Sequence, residues 1–273
     1  AYKFGEEAHK GQKRKSGVPY FDHCIQVCIQ LISWHMDIDT LVAGLLHDTV
    51  EDTVVTKKQI EKEFNDDIGH LVYGVSKLSG IKFRDYKHRQ AENLMKMFLA
   101  VAKDLRVIII KFSDRLHNMK TLDSLSKEKQ IRISEETRNL YAPLAHRLGM
   151  NQLKMEYENL ILKYTNRDAY DSIKKKLNTT NRARAKYIEE FIKPIKEELS
   201  NFSFNGDVFG RAKHYYSIYR KMESQSKKFS DLYDLFAIRI VVDKIEECYT
   251  VLGIVHQLYT PMQERFKDYI ATP

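Results

Sequence analysis

The stretch AGLLHDTVEDT, residues 43–53, decides how this chain is interpreted, because it places four titratable side chains directly after an apolar run. On a continuous helix, His47 and Glu51 are one turn apart, and so are Asp48 and Asp52, with about 5–6 Å between the side chains of each pair. Such a cluster beside apolar residues is costly unless it holds a cation. A helix end that runs out into an acidic, solvated turn explains the same residues, and this stretch alone leaves both interpretations open.

Two more side chains extend this candidate cluster. His23 follows the aromatic pair Tyr20-Phe21 at the start of an apolar-periodic helix. Asp114 shares the polar stripe of another helix with Lys111, Asn118 and Thr121. Two imidazoles and two carboxylates suit Mn²⁺, Fe²⁺ or Zn²⁺ and leave positions for water and substrate. Each residue also has a plain structural explanation: a helix-start histidine, and an ion pair of Asp114 with Lys111 or Arg115.

Composition excludes several classes of protein. The chain has 273 residues, of which 45 are basic and 37 acidic, giving a net charge of +8 that suggests anionic partners. Only 11 glycines and 5 prolines occur, roughly half the usual share, which favours long helices over a β-sandwich. Three cysteines form no disulfide framework and indicate reduced thiols in a cytoplasmic protein. No membrane span and no signal pattern is expected, and a secreted scaffold, a collagen and a disordered tail are excluded.

Apolar spacing predicts helices through most of the first two-thirds of the chain. Asp39 is expected to cap one helix, and Thr56 with Gln59 forms the signature of a capping box at another. A further helix, about 185–199, resembles a connector between domains.

The pattern changes after this connector. Residues 235–242, LFAIRIVV, predict a buried strand between helices at 215–222 and 246–259. This alternation indicates the start of an α/β domain, which is unfinished because one or two strands make no stable sheet.

The order of His23, His47-Asp48 and Asp114 resembles that of the HD phosphohydrolase superfamily. The surrounding sequence resembles the hydrolase half of RelA/SpoT-type alarmone synthetase/hydrolases, in GQKRKSGVPYFDHCIQV (11–27), AGLLHDTVEDT (43–53), KFSDRLHNMKTL (111–122) and ETRNLYAPLAHRLGM (136–150). The opening of that family's synthetase domain is similar to GRAKHYYSIYRKM (210–222), LYDLFAIRIVVD (232–243), ECYTVLGIVHQLY (247–259) and RFKDYIATP (265–273).

This resemblance implies a mostly α fold in three parts. Residues 1–165 would form an all-helical HD-type hydrolase domain and residues 166–200 a helical connector. Residues 201–273 would be the first part of an α/β, nucleotidyltransferase-like synthetase domain.

For the hydrolase, the resemblance implies one Mn²⁺ bound by His23, His47, Asp48 and Asp114. Glu51 and Asp52 would activate or orient the attacking water. The substrates would be ppGpp and pppGpp, and the products GDP or GTP plus pyrophosphate.

The nucleotide would be held by residues on both sides of the metal. Arg14, Lys15 and Ser16 match the family's loop beside the guanine base, although a solvated basic turn is the plainer explanation of this run. Asn118 and Thr121 match nucleotide-contacting positions, whereas His117 is expected to point elsewhere and to be structural.

One departure from the family concerns the metal site. Cys24 stands where the family usually has proline, and we interpret Cys24 and Cys28 as packing residues. The loss of proline should affect geometry more than ligation.

For the synthetase, the resemblance implies an ATP site formed by Arg211, Lys213, Ser217, Lys221 and Arg239. Asp234 would hold Mg²⁺, and Lys267 lies in a basic run typical of bifunctional members. The reaction would transfer pyrophosphate from ATP to the 3′-hydroxyl of GDP or GTP. A solvated amphipathic helix also explains the spacing of the lysines, and Ala212 and Glu264 depart from the family's Pro and Gly. Because the chain ends soon after this region, we expect it to hydrolyse the alarmone but not to make it.

Two rival functions are weighed against the hydrolase. A catalytically silent, nucleotide-binding regulatory HD module is disfavoured because all six acidic and histidine positions are kept. A nucleic-acid binder lacks any recognisable motif, so no direct nucleic-acid binding is expected. A ribosome link would come only through a C-terminal half outside this sequence.

Overall fold

The computed structural model describes residues 1–79, 104–178, 181–202, 206–226, 228–229, 232 and 236–272. These residues are mostly helical, which confirms the predicted mostly α fold. They separate into two compact units, Ala1–Arg167 and Asp168–Pro273. Among the described residues, no helix combines the length and the apolar character that crossing a membrane requires.

The described regular elements of the first unit are helices, joined by loops, one of which holds an isolated β-bridge between Lys13 and Pro19. Its helices are α1 (Tyr2–Ala8), α2 (Phe21–Ser33), α3 (Ile38–Leu46), α4 (Thr49–Asp52), α5 (Lys57–Glu63), α6 (Asp66–Ser79), α7 (Leu105–Lys120), α8 (Lys127–Glu136), α9 (Ala142–Arg147) and α10 (Asn151–Thr165). A 3₁₀ turn, Leu122–Ser124, follows α7, and a π-helical turn, Thr137–Tyr141, joins α8 to α9.

Side-chain caps fix where two of these helices begin. The predicted capping box is confirmed, since Thr56 Oγ1 accepts from Gln59 N at 3.4 Å and Gln59 Oε1 accepts from Thr56 N at 2.8 Å. The predicted cap at Asp39 is wrong, because the N-cap of α3 lies two residues earlier. Asp37 is its N-cap and accepts from Thr40 N at 3.1 Å, which leaves Asp39 in the first turn.

Helix α7 is the centre of the first unit. Ile108, Phe112 and Leu116 pack into one buried cluster with α9 and α10, while Val107 and Ile110 join a second cluster with α2, α3 and α6. Complete burial of each such side chain contributes about 1.5–3 kcal/mol. Because two apolar faces hold α7 in place, its remaining polar stripe is fixed relative to α2 and α3.

The second unit combines helices with a small sheet. Its elements are α11 (Arg167–Asn178), α12 (Asn181–Asn201), β1 (Asp207–Ala212), α13 (Tyr215–Gln225), β2 (Phe236–Val241) and α14 (Ile245–Leu258). The range 166–200, expected to be a connector, is formed mainly by α11 and α12. The two strands pair antiparallel, with Val208 opposite Ile240 and Gly210 opposite Ile238.

The expected buried strand at 235–242 needs correction. Ile238 and Ile240 are half-buried and pack towards α12 and α14, but Arg239 and Val241 are exposed. In the described residues one face of the sheet is covered by helices, so β2 follows the alternation of a half-buried strand. The pattern missed β1 altogether, because the sequence DVFGRA has a single β-branched residue.

Candidate active site

Four buried side chains converge between α2, α3 and α7. His23 Nε2 lies 3.2 Å from Asp114 Oδ1 and 3.6 Å from Asp48 Oδ2, and His47 Nε2 lies 3.1 Å from Asp48 Oδ2 and 4.0 Å from Asp114 Oδ1. Ligands about 2.1 Å from one metal ion are separated by roughly 3.0–3.4 Å in octahedral or tetrahedral arrangements. The four residues predicted as ligands are thus brought together at spacings that one divalent ion can bridge.

The backbone around His47 differs from the continuous helix expected from HDTVEDT. Helix α3 ends at Leu46 and α4 begins at Thr49, so His47 and Asp48 form the junction between them. His47 is consequently buried while Glu51 is exposed, and the two do not share one helix face. Asp48 and Asp52 remain neighbours, since Asp52 N donates to Asp48 O at 2.9 Å.

Close packing of two helices sets the position of His47. A Cβ atom at Gly44 would lie 2.4 Å from Leu31 Cδ1, so the glycine lets α3 approach α2 closely. The carbonyl oxygen of Gly44 then accepts the Nδ1–H of His47 at 2.9 Å. This bond leaves a lone pair on His47 Nε2, which points into the cluster.

The orphaned nitrogen of His47 is the strongest sign of a missing partner. Its side chain is 0% exposed, and among the described residues its Nε2 has no hydrogen-bond partner. Leaving a buried polar atom unsatisfied costs about 1–3 kcal/mol. A bound divalent cation satisfies this atom, so the residues present fit a metal ion.

His117 also lies at the site, which corrects the expectation that it points elsewhere. Arg14 Nη1 donates to His117 Nδ1 at 3.0 Å, and His23 Nδ1 lies 2.7 Å from the same atom. Since an arginine can only donate, His117 Nδ1 is an acceptor and His23 Nδ1 must carry the proton. Burial, with the neighbouring His23 and Arg14, lowers the pKa of His117 to about 4 and keeps it neutral. The arrangement leaves His23 Nε2 free to ligate a metal.

Asp114 is held in its ionised form by its neighbours. Lys111 Nζ donates to Asp114 Oδ2 at 2.6 Å, and the Asn118 amide donates to Asp114 Oδ1. Burial alone would raise the pKa of Asp114, but the charge of Lys111 holds it well below its usual range. The ion pair of Asp114 with Lys111, which was the plain structural explanation of this residue, is therefore present. Asp114 nevertheless also lies in the cluster with the two histidines.

Tyr20 connects the two acidic parts of the site and was missed by sequence reasoning. Its hydroxyl lies 2.8 Å from Asp48 Oδ2 and 2.8 Å from Asp52 Oδ2, so its proton can be donated to either carboxylate. Burial and the charge of Asp48 raise the pKa of Tyr20. Its only sequence signal is its place three residues before His23.

A cavity of about 490 Å³ opens beside the cluster. Its wall includes Asp114 and the five residues expected to contact a nucleotide, namely Arg14, Lys15, Ser16, Asn118 and Thr121. The Arg14 guanidinium also donates to the Asn118 side chain, which joins the two sides of the cavity. Leu122, Leu125 and Ile133 add apolar side chains to the lining, and further charged side chains in it are those of Lys13, Lys111, Arg115 and Glu136.

Cys24 lies next to the cluster. Its side chain is fully buried, and one ligand atom from each of Cys24, His47 and Asp48 lies within 4.8 Å of the others. Burial alone would raise the pKa of this thiol, but the imidazoles of His47 and His9 lower it overall. Cys24 is therefore packed at the border of the site, and its role as a packing residue stays a prediction.

The predicted synthetase residues lie in the second unit. Opposite Arg239 in the sheet register is Phe209, and opposite Arg211 is Ala237, so the two arginine positions are diagonal neighbours on one face. Lys213 precedes α13, on which Ser217 and Lys221 are one turn apart. The exposed Lys267 follows α14, whereas Asp234 lies outside the described residues.

Comparisons with known proteins indicate the family of the chain. Residues 1–151 match the family described as HD domain, and residues 210–273 match the region found in RelA / SpoT proteins. A guanosine-3′,5′-bis(diphosphate) 3′-pyrophosphohydrolase of Aquifex aeolicus is 42% identical over 274 residues, and the bifunctional (p)ppGpp synthase/hydrolase SpoT of Escherichia coli is 43% identical over 273 residues. Each alignment covers 100% of this chain and 39% of the relative. The chain thus spans about two-fifths of the length of these curated relatives.

One solved structure is also similar. It belongs to a metazoan orthologue of SpoT that hydrolyses ppGpp, with a TM-score of 0.49, 26% identity, and coverage of 60% of this chain and 93% of that one. Since the HD-domain match alone covers more than half of the sequence, this chain belongs to the HD-domain family and also carries the region found in RelA / SpoT proteins.

Proposed function

We propose that the first unit hydrolyses the 3′-pyrophosphate of ppGpp and pppGpp, giving GDP or GTP and pyrophosphate. The observation that carries this proposal is the buried, unpartnered Nε2 of His47 within the four-residue cluster, directly beside a cavity lined with cationic side chains. Relatives named for this activity align along the whole chain.

His23, His47, Asp48 and Asp114 would hold the metal, which we propose to be Mn²⁺. When bound, such an ion lowers the pKa of water and offsets negative charge on the phosphoryl group. Two imidazoles with two carboxylates suit Mn²⁺, although the same set also accepts Fe²⁺ or Zn²⁺.

Glu51 and Asp52 would accept the proton of the attacking water or orient that water. Asp52 Oδ2 is tied to Asp48 Oδ2 through the Tyr20 hydroxyl, which keeps this carboxylate at the edge of the cluster. Glu51, which is exposed on the same short helix, would share this role. In the reaction, the water oxygen bonds to the phosphorus next to the 3′-oxygen, and the 3′-oxygen leaves and takes up a proton.

The cavity residues would bind and orient the nucleotide. Arg14 would stack on or pair with the guanine, and Lys15 would offset phosphate charge. Arg14 already bonds Asn118 and His117, so the loop that it occupies is positioned before substrate arrives. Preorganised cations lose less entropy when they bind a polyphosphate.

The test is hydrolysis of ppGpp by the purified chain with and without Mn²⁺, with GDP and pyrophosphate measured. Asp48→Ala should abolish Mn²⁺ binding and nearly all turnover while circular dichroism stays helical. Wild-type turnover in this variant would contradict the ligand assignment. Tight ppGpp binding without any hydrolysis by the wild-type chain would favour a regulatory HD module instead.

We propose in addition that the second unit belongs to a synthetase, supported by its match to the RelA / SpoT region. Arg211, Lys213, Ser217, Lys221 and Arg239 would bind ATP, and Asp234 would hold Mg²⁺. The substrates are cytoplasmic nucleotides and the three cysteines are free thiols, so we place the protein in the cytoplasm. Loss of ATP binding in Lys221→Ala, with ppGpp hydrolysis unchanged, is the expected result for this assignment.

A further inference from the structure

The thiol of Cys24 has no part in the function proposed above, yet it lies beside two residues of the cluster, His47 and Asp48. Cys24 follows His23 on α2 and is 0% exposed. Its Sγ, a ring nitrogen of His47 and a carboxylate oxygen of Asp48 lie within 4.8 Å of one another, and all three residues are buried. A sulfur, a nitrogen and an oxygen donor are thus grouped among buried side chains.

The orphaned nitrogen of His47 gives independent support for a ligand at this spot. Among the described residues, His47 Nε2 is buried without a hydrogen-bond partner. His47 belongs both to the group with His23 and Asp114 and to the group with Cys24 and Asp48. An ion bound at His47 therefore lies within reach of both groups, and the thiol is one of its available donors.

We propose that Cys24 is a further ligand of this metal centre and that its sulfur shifts the centre towards thiophilic divalent cations such as Zn²⁺ and Co²⁺. Soft thiolates select zinc and related ions, whereas carboxylate, imidazole and water donors suffice for Mn²⁺. Binding of a thiophilic ion should displace the thiol proton into solvent, so that sulfur ligates as the thiolate. This inference rests on the metal centre of the proposed function.

Cys28 provides an internal comparison. It lies one turn later on the same helix, is half-buried, and belongs to no metal-capable group in the described part of the chain. Cysteines of this kind behave as small apolar residues. If Cys24 did no more than pack, it should behave as Cys28 does.

The test uses Co²⁺ as a spectroscopic probe in a background that leaves Cys24 as the single thiol. The double variant Cys28→Ala/Cys248→Ala, stripped of metal and loaded with Co²⁺, should show visible d–d bands and an intense near-ultraviolet band from sulfur-to-cobalt charge transfer. Adding Cys24→Ala should remove the near-ultraviolet band and keep the visible bands, since His23, His47, Asp48 and Asp114 still hold the ion. Cys24→Ser, with nearly unchanged volume, should behave in the same way, and circular dichroism checks its fold.

Competition with a chromophoric chelator measures the affinity of the centre for Zn²⁺ and for Mn²⁺, and so its selectivity between the two ions. Cys24→Ala should weaken Zn²⁺ binding by about tenfold or more, a loss typical of residues that support a metal site, and should change Mn²⁺ binding little. Cobalt bound with visible bands alone would overturn the Cys24 assignment and leave the metal centre standing. No cobalt binding in any variant would overturn both.

Discussion

At the scale of single residues, the contact with Arg14 decides which ring nitrogens of His117 and His23 carry a proton. Arg14 cannot accept a hydrogen bond, so its contact makes His117 Nδ1 an acceptor, and His117 in turn makes His23 Nδ1 a donor. A separate bond from His47 Nδ1 to Gly44 fixes the second imidazole. Both metal-facing nitrogens therefore carry lone pairs, and such outer partners contribute to metal affinity without touching the ion.

His117→Ala tests this positioning role. The variant should bind Mn²⁺ about 10- to 100-fold more weakly because His23 loses the acceptor that orients it, and saturating Mn²⁺ should restore most of the turnover. The electron paramagnetic resonance signal of free Mn²⁺ measures the affinity. His146→Ala, at an exposed histidine of α9, is the matched control and should change nothing. Equal Mn²⁺ affinities in the two variants would show that His117 does not support metal binding.

Glu51→Gln separates proton transfer from ligation. The variant should keep its Mn²⁺ because Glu51 is exposed and lies outside the buried cluster. Turnover should fall by about 10²- to 10⁴-fold, the usual contribution of a general acid–base group. Loss of Mn²⁺ would instead make Glu51 a ligand, and unchanged turnover would leave Asp52 to accept the proton.

At the scale of secondary-structure elements, the sequence pattern predicted those features that depend on residues close together in the chain. The box of Thr56 and Gln59 was predicted from spacing, whereas spacing only made the histidines and aspartates candidates, and the family resemblance implied that they form one ligand set. The break at His47 was not predicted, because His47 keeps helical backbone angles and no glycine or proline in the sequence marks the end of α3 there. Tyr20 and His117 escaped detection because their partners lie far away in sequence; Arg14 and His117 are 103 residues apart.

The starts of three helices meet at one side chain. Arg106 lies 2.7 Å from Asp104 at the start of α7, 2.9 Å from Asp67 in α6, and 3.7 Å from Asp37 at the start of α3. A hydrogen bond from Arg106 is the main cause that lowers the pKa of Asp104. Since α7 and α3 both carry site residues, this network supports the geometry of the cluster from its far end.

Arg106→Ala should lower the free energy of unfolding by about 1–2 kcal/mol, because each partly exposed pair contributes up to about 1 kcal/mol. A carboxylate with a lowered folded-state pKa stabilises the fold above its unfolded pKa of 3.8 and loses this effect as the pH falls further. The difference between wild type and variant should therefore be full at neutral pH and shrink below about pH 4. Urea unfolding at several pH values measures it, with Lys10→Ala, at an exposed pair with Glu7, as the control that should change little. A difference that persists unchanged below pH 3 would show that lost packing, not charge, is responsible.

At the scale of the whole molecule, the site and its support belong to one unit. Both apolar clusters around α7 are composed of residues no later than Tyr164, within Ala1–Arg167. The metal cluster, the cavity and the network at Arg106 lie in the same range. The second unit has apolar clusters of its own, around α12 with α14 and around α11 with α13.

Residues 1–167 expressed alone should therefore fold and keep the proposed hydrolase site. A unit of this size with its own closed core is expected to unfold in a single transition, with a free energy of about 5–15 kcal/mol. Bound Mn²⁺ should raise the midpoint because it binds the folded state, and Asp48→Ala in the same fragment should remove that shift. Scanning calorimetry with and without Mn²⁺ measures both effects, and ppGpp breakdown by the fragment measures the site itself. A fragment that folds but neither binds Mn²⁺ nor hydrolyses ppGpp, while the 273-residue chain does both, would mean that the second unit completes the site.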